Sequence, residues 1–143
     1  MIKLIACDLD GTLLPPSKIM PEETFGLIEK FTAKGGVFAP ASGRQLPNLL
    51  KLFAPVADKI AVIAENGGLV WYGGKVIFSD PTPSADVKRA IDIIRGVDGL
   101  YPVVSCADCA YYEDGYPRFV ETLKRSYSSE KQVDNLDGVI NNV

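Results

Sequence analysis

The first half of the chain alternates short apolar runs with helical patterns. The apolar runs all end at small polar loops, and they occupy residues 2–7, 37–41 and 60–64. Runs of this kind are typical of parallel strands buried on both faces, although Pro40 weakens the second one as a strand. The spacing of Phe25, Ile28 and Phe31 predicts one amphipathic helix, and residues 46–53 predict another. The βαβαβ order predicts an α/β fold with a parallel sheet and right-handed crossovers.

The pattern changes after residue 68. Gly73-Gly74 separates two β-rich runs and predicts a hairpin. A linker over 80–84 follows, with Ser84 as a candidate helix N-cap. Further on, helices and short strands share a mixed α+β pattern, with helices predicted after Ser84 and Pro117 and strands at 100–105 and 110–113. We therefore predict two domains, a core over 1–80 and an α+β domain over 81–143.

Composition removes several classes of function. The 143 residues are 47% hydrophobic and 23% charged with a net charge of −3, which predicts a globular protein rather than a disordered one. No basic cluster occurs, so we expect no nucleic-acid partner. No apolar stretch approaches the ~20 residues of a membrane span, so we expect a cytoplasmic protein without membrane contact. The chain has no histidine, which excludes Ser-His triads and imidazole bases.

Polar side chains follow all three predicted parallel strands. Asp8, Asp10, Ser42 and Asn66 fall where strands end, and carboxyl ends of parallel strands meet at one edge of a sheet. Asp8 and Asp10 are two residues apart, so two carboxylates can address one small volume. Such like charges repel unless a divalent cation joins them, and Mg²⁺ prefers oxygen ligands. The alternative interpretation of D-x-D-G alone is a simple turn.

Three segments at these strand ends carry a resemblance to a known family. Asp8–Leu14 has the sequence DLDGTLL and resembles the first motif of the haloacid dehalogenase-like hydrolase superfamily. Ala41–Arg44, ASGR, resembles its second motif. Glu65–Val70, ENGGLV, is similar to a segment of the Cof-type sugar-phosphatase subgroup. The resemblance implies a three-layer, Rossmann-like parallel sheet core with an inserted α+β cap, here the segment after Asp80.

The resemblance also implies a reaction. Carried over, Asp8 is the nucleophile that forms an aspartyl-phosphate, and Asp10 is the general acid and base, a role for which its pKa would have to rise. Mg²⁺ would bind the Asp8 carboxylate and the Asp10 backbone carbonyl. The expected substrate is a small phosphorylated metabolite such as a sugar phosphate. Because Asp10 can protonate a leaving alkoxide, phosphate-ester hydrolysis is favoured over dehalogenation.

Substrate contacts are expected from the remaining motif residues, which are Gly11, Thr12, Ser42, Gly43, Arg44 and Asn66. The Ser42 hydroxyl and the Gly43 amide would donate to phosphoryl oxygens. For Arg44 the alternative is a surface salt bridge. For Asn66 the alternative, which we favour, is that it holds its own loop.

Two motifs of the family cannot be placed, namely a lysine that steadies the phosphoryl group and an acidic G-D-x-x-[ND] loop. The resemblance therefore implies that core and cap are both incomplete. The run over 2–6 would then become an exposed apolar edge, and we expect self-association through it. Two functions stay open: a Mg²⁺-dependent phosphatase represented by its amino-terminal half, and a non-catalytic binding or interaction module on the same scaffold.

Overall fold

A computed structural model describes residues 2–113 and 115–140 of the chain. The polypeptide divides into two compact units, residues 1–80 and residues 81–143. The first unit contains, in chain order, β1 (Leu4–Asp8), α1 (Glu23–Thr32), β2 (Val37–Ala41), α2 (Leu46–Leu52), a 3-10 helix (Ala54–Lys59), β3 (Ala61–Ala64), β4 (Leu69–Tyr72) and β5 (Lys75–Ser79).

A five-stranded sheet organises the first unit, with the strand order β1-β2-β3-β4-β5. The first three strands are parallel, as predicted from the βαβαβ pattern. β4 runs antiparallel to β3, and β4 and β5 form the hairpin predicted at Gly73-Gly74, where both glycines have positive φ. The hairpin extends the parallel sheet, which the sequence pattern did not predict. Pro40 lies within β2 and is fully buried.

β1 lies at the edge of this sheet and is largely exposed. Leu4 is 58% exposed and Ile5 is 38% exposed, and Ile2 before the strand is 70% exposed. The expectation that an apolar run of this kind is buried on both faces is therefore wrong for β1 in this chain. The expectation of an exposed apolar edge is confirmed.

The core of the first unit forms around Phe53, whose side chain is completely buried. Its ring packs edge-on against Phe25 of α1 and tilted against Phe38 of β2, with both pairs of ring centroids 6.3 Å apart. Leu9 and Leu14 from the loop after β1 join the same buried cluster. This burial anchors the loop that carries the candidate carboxylates to the interior of the unit.

The second unit contains α3 (Ser84–Arg95), β6 (Val103–Ser105), β7 (Ala110–Tyr112), α4 (Pro117–Ser126), β8 (Glu130–Gln132) and α5 (Asp137–Ile140). β7 is the middle strand, antiparallel to β6 and parallel to β8. Ser84 does not cap α3, because its hydroxyl donates to the carbonyl of Ile140 instead, at 3.3 Å. The core contains Ile91, Val104, Cys106, Leu136 and Ile140.

None of the helices within 2–113 and 115–140 combines the length and the apolar character needed to cross a bilayer.

Candidate active site

The loop after β1 holds Asp8 in a fixed position. The Thr12 hydroxyl donates to Oδ2 of Asp8 at 2.8 Å, so that the second oxygen, Oδ1, is left without a partner among the described residues. The backbone between them is a tight turn in which the Leu13 amide donates to the Asp8 carbonyl. Gly11 has φ of +85° in this turn, a conformation that favours glycine. Gly11 and Thr12 therefore shape the loop around Asp8.

Asp10 is engaged by two cations. Arg44 donates to both of its carboxylate oxygens, from Nη2 to Oδ1 at 2.7 Å and from Nε to Oδ2 at 3.1 Å. Lys18 Nζ lies 3.8 Å from Oδ1. The hydrogen bonds from Arg44, helped by the positive charges of Arg44 and Lys18, lower the pKa of Asp10 despite an opposing effect of burial. The acid role proposed for Asp10 requires a raised pKa, which this contact with Arg44 opposes.

The loop after β2 faces this pair. Asp8 and Ala41 are register partners in adjacent parallel strands, which lie about 4.8 Å apart, and Ser42 is the next residue. The Arg44 amide donates to the Ser42 hydroxyl oxygen at 3.3 Å, which leaves the hydroxyl proton of Ser42 to be donated elsewhere. Gly43 is exposed, and its N–H is not bonded to another described residue.

The turn after β3 binds the β2 loop. The Asn66 amide donates to the Ser42 carbonyl, and the Glu65 amide donates to the Arg44 carbonyl, both at 3.2 Å. Glu65 and Asn66 have φ of 51° and 54°. Non-glycine residues held in this left-handed region cost about 1–3 kcal/mol each, with asparagine tolerating it best. The turn after β3 is thus strained, and it is hydrogen-bonded to the loop after β2, the candidate anion-binding loop.

The structure therefore brings the predicted residues together across three strand ends. The first loop contacts the second through Asp10 and Arg44, and the second contacts the third through Ser42 and Asn66. Sequence reasoning missed Lys18, which has φ of 57° and reaches Asp10, and Asn48, whose Oδ1 accepts from Arg44 at 3.5 Å. A lysine after two prolines carries no sequence signal for such a contact.

The oxygen atoms of the first loop suit a hard divalent cation. Backbone hydrogen bonds in this turn use the carbonyls of Asp8, Leu9 and Leu14, and none of the described residues donates to the Asp10 carbonyl. A carboxylate oxygen of Asp8 and this carbonyl are ligand types that Mg²⁺ prefers. Within residues 2–113 and 115–140, no cluster of three or more acidic, cysteine or histidine side chains could hold a metal. The oxygen atoms of this loop are therefore chemically suited to Mg²⁺, although the described residues supply few of them.

Fold and site together define a class of protein: an α/β protein in which an aspartate, a hydroxyl and an exposed amide meet at the carboxyl edge of a parallel sheet. More specifically, residues 5–142 match the family model of haloacid dehalogenase-like hydrolases, and the chain belongs to this family.

Similar proteins agree with this assignment. The chain is 31% identical over 140 residues to the 5-amino-6-(5-phospho-D-ribitylamino)uracil phosphatase of Escherichia coli, covering 96% of this chain and 52% of that protein. It is 30% identical over 97 residues to a phosphatase of Bacillus subtilis, covering 68% of this chain and 33% of the relative. A crystal structure of a protein from Eubacterium rectale superposes with a TM-score of 0.80 at 29% identity, covering 95% of this chain and 52% of the other.

The chain spans about half the length of the Escherichia coli relative and of the Eubacterium rectale protein, 52% in each case. The family is established over residues 5–142.

Proposed function

We propose that the site of this chain belongs to a Mg²⁺-dependent phosphatase that hydrolyses phosphate monoesters of small metabolites through an aspartyl-phosphate on Asp8. One observation carries the proposal. Asp8 lies at the carboxyl end of β1 with Oδ2 held by Thr12 and Oδ1 unbonded among the described residues, in register with the strand that leads to Ser42 and Gly43. A carboxylate fixed beside hydrogen-bond donors suits attack on phosphorus.

In the first half-reaction, Oδ1 of Asp8 attacks phosphorus and the bond from phosphorus to the ester oxygen breaks. The departing alkoxide takes a proton from Asp10. In the second half-reaction water attacks the aspartyl-phosphate, Asp10 accepts the proton of that water, and inorganic phosphate leaves. Ser42 and Gly43 donate to the phosphoryl oxygens throughout. Asp8 and the Asp10 carbonyl would hold Mg²⁺, whose chemistry is to offset the negative charge of the phosphoryl group.

The role of Asp10 sets a requirement. Both of its oxygens are bonded to Arg44, so proton transfer to the leaving group requires that this contact opens when an ester is bound. A sugar phosphate offers hydroxyl groups that Arg44 could bind instead. The name of the Escherichia coli relative, a phosphatase of a phosphoribitylamino compound, favours a sugar-phosphate-type substrate for this chain.

The second candidate function, a non-catalytic interaction module, is favoured by one observation, the exposed apolar edge at β1.

Few protein ligands are available for Mg²⁺, and the side chains of Arg44 and Lys18 are both paired with Asp10. We therefore expect residues 1–143 alone to bind the metal weakly and to show at most trace hydrolysis.

The test compares the wild-type chain with Asp8→Asn and with Asp98→Asn, an exposed acid of the second unit. Hydrolysis of p-nitrophenyl phosphate with saturating Mg²⁺ and intact-mass detection of a phosphorylated chain are the two measurements. We expect trace hydrolysis and a detectable phosphorylated chain in the wild type and in Asp98→Asn, and neither signal in Asp8→Asn. Equal Mg²⁺-dependent hydrolysis in Asp8→Asn would exclude the aspartyl-phosphate mechanism. Absence of both signals in the wild type would favour the interaction module.

A further inference from the structure

Three consecutive residues after β3 adopt left-handed backbone conformations. The φ angles of Glu65, Asn66 and Gly67 are 51°, 54° and 95°. Only glycine adopts this region freely, and asparagine is the best tolerated of the other residues. A turn of this kind persists only where surrounding contacts hold it, and such strain clusters at functional sites.

Two backbone hydrogen bonds join the turn to the loop after β2. The Asn66 amide donates to the Ser42 carbonyl and the Glu65 amide to the Arg44 carbonyl. Ser42 also donates its own amide to the Ile63 carbonyl at 3.0 Å, so that both polar backbone groups of Ser42 point toward β3.

Peptide geometry then determines the direction of the Gly43 amide. The carbonyl of Ser42 and the N–H of Gly43 belong to one planar trans peptide, in which they point in opposite directions. Since the Ser42 carbonyl points to the β3 side, the Gly43 N–H points to the other side of β2. β1 and Asp8 lie on that side, because β2 is between β1 and β3.

The side chain of Asn66 also lies close to Gly43. A Cβ atom built on Gly43 would lie 2.8 Å from Oδ1 and 3.1 Å from Nδ2 of Asn66. The carboxamide of Asn66 therefore lies directly against the Cα of Gly43, and any larger residue at 43 would displace it.

We propose that Asn66 is a positioning residue: its left-handed turn holds the carbonyl of Ser42 so that the Gly43 N–H is directed at an anionic oxygen bound beside Asp8. The inference rests on the proposed phosphate chemistry of the site and adds a role for the third loop. Asn66 acts through Gly43 in this scheme and does not itself bind the phosphoryl group.

Two variants separate this role from direct contact. Asn66→Gly and Asn66→Ala both delete the carboxamide, but only glycine accepts positive φ without strain. The probe is inorganic phosphate with Mg²⁺, titrated into the ¹⁵N-labelled chain while the Gly43 amide resonance is followed. We expect saturable downfield movement in the wild type and in Asn66→Gly with similar affinity. Because loss of one aimed donor typically costs about 10²–10³ in rate, we expect Asn66→Ala to weaken phosphate binding by about tenfold or more.

The outcomes are distinct. Equal weakening in both variants would mean that the carboxamide touches the anion, and equal retention would mean that the turn has no positioning role; either result overturns the inference and leaves the proposed function standing. No phosphate effect on Gly43 in the wild type would refute the phosphate site and the inference together. Thermal unfolding of each variant identifies a loss of binding caused by unfolding.

A rescue experiment gives a second measurement. Gly43→Ala should weaken phosphate binding because its Cβ meets Asn66, and Asn66→Gly in the same chain should restore binding by removing that contact. Restoration supports the contact. A double variant as weak as Gly43→Ala alone would show that the methyl group obstructs the anion itself, which would refute a steric role for the contact with Asn66.

Discussion

Replacing Arg95 should destabilise the second unit more than any other single charge change in it. Arg95 at the end of α3 donates to both carboxylate oxygens of Glu113, and it also reaches Asp137 at 3.1 Å and Asn135 at 3.2 Å. Glu113 additionally accepts from the Leu136 amide at 2.7 Å. The side chains of Arg95 and Glu113 are 31% and 20% exposed. One guanidinium therefore joins α3, the residue after β7, and the segment that leads into α5.

The magnitude follows from these contacts. Hydrogen bonds to charged groups contribute about 1.5–3 kcal/mol, while exposed ion pairs such as that with Asp92 contribute about 0–1 kcal/mol. In Arg95→Met the apolar stem is retained and the carboxylate of Glu113 loses its main partner. We expect the free energy of unfolding to fall by about 2 kcal/mol, or Tm of a unit of this size by about 8–16 °C.

The chain offers its own probes and control. Trp71, the single tryptophan, lies in β4 of the first unit, whereas five of the six tyrosines lie in the second unit, so tryptophan fluorescence and tyrosine near-UV circular dichroism report different units. Arg125→Met removes an exposed helical pair with Glu121 and should change stability by less than about 0.5 kcal/mol. A tyrosine transition in Arg95→Met that matches the wild type, or an equal loss in Arg125→Met, would refute the reasoning.

Three further predictions concern other parts of the molecule. Hydrogen bonds from Arg95 lower the pKa of Glu113, and hydrogen bonds from Lys88 lower the pKa of Asp137. The stability that these contacts provide is therefore present above about pH 4 and is lost as the pH falls. In urea titrations, the difference in free energy of unfolding between wild type and Arg95→Met should shrink below about pH 4. Gly36→Ala should cost about 1–3 kcal/mol, because its Cβ would lie within 2.6 Å of the Phe31 ring; unchanged thermal stability would contradict this. Leu4→Lys should reduce self-association in sedimentation experiments, and an equally associated variant would place the contact elsewhere than β1.

Hydrophobic periodicity predicted most of the first unit. The strands and helices of this unit form where the local hydrophobic patterns predicted them. Even β2 forms despite Pro40, which lies fully buried within the strand. The joining of the β4–β5 hairpin to the parallel sheet was not predictable, because strand order depends on contacts that no local pattern encodes. β8 was missed because Glu130, Lys131 and Gln132 have no apolar alternation and form a short, mostly exposed edge.

At the candidate site, motif spacing predicted which residues lie on the three adjacent loops, but it did not describe their electrostatics. The acid role of Asp10 requires a raised pKa, whereas hydrogen bonds from Arg44 to both of its oxygens lower the pKa. This contact joins residues from two different loops and depends on the side-chain conformation of Arg44. Arg44 forms a salt bridge with Asp10, the alternative considered for it, and its contact with substrate stays a prediction.

The strand order of the first unit has a consequence for how it folds. Each strand of the order β1-β2-β3-β4-β5 pairs with the strand that follows it in the chain. Because every strand pairs with the nearest strand in the sequence, the loop-closure entropy lost at each pairing is small. We therefore expect folding to be fast for an α/β unit. During synthesis, each new strand can pair with the preceding strand, which is already at the edge of the growing sheet. The first unit can therefore assemble progressively from its amino terminus while the remainder of the chain is still being made.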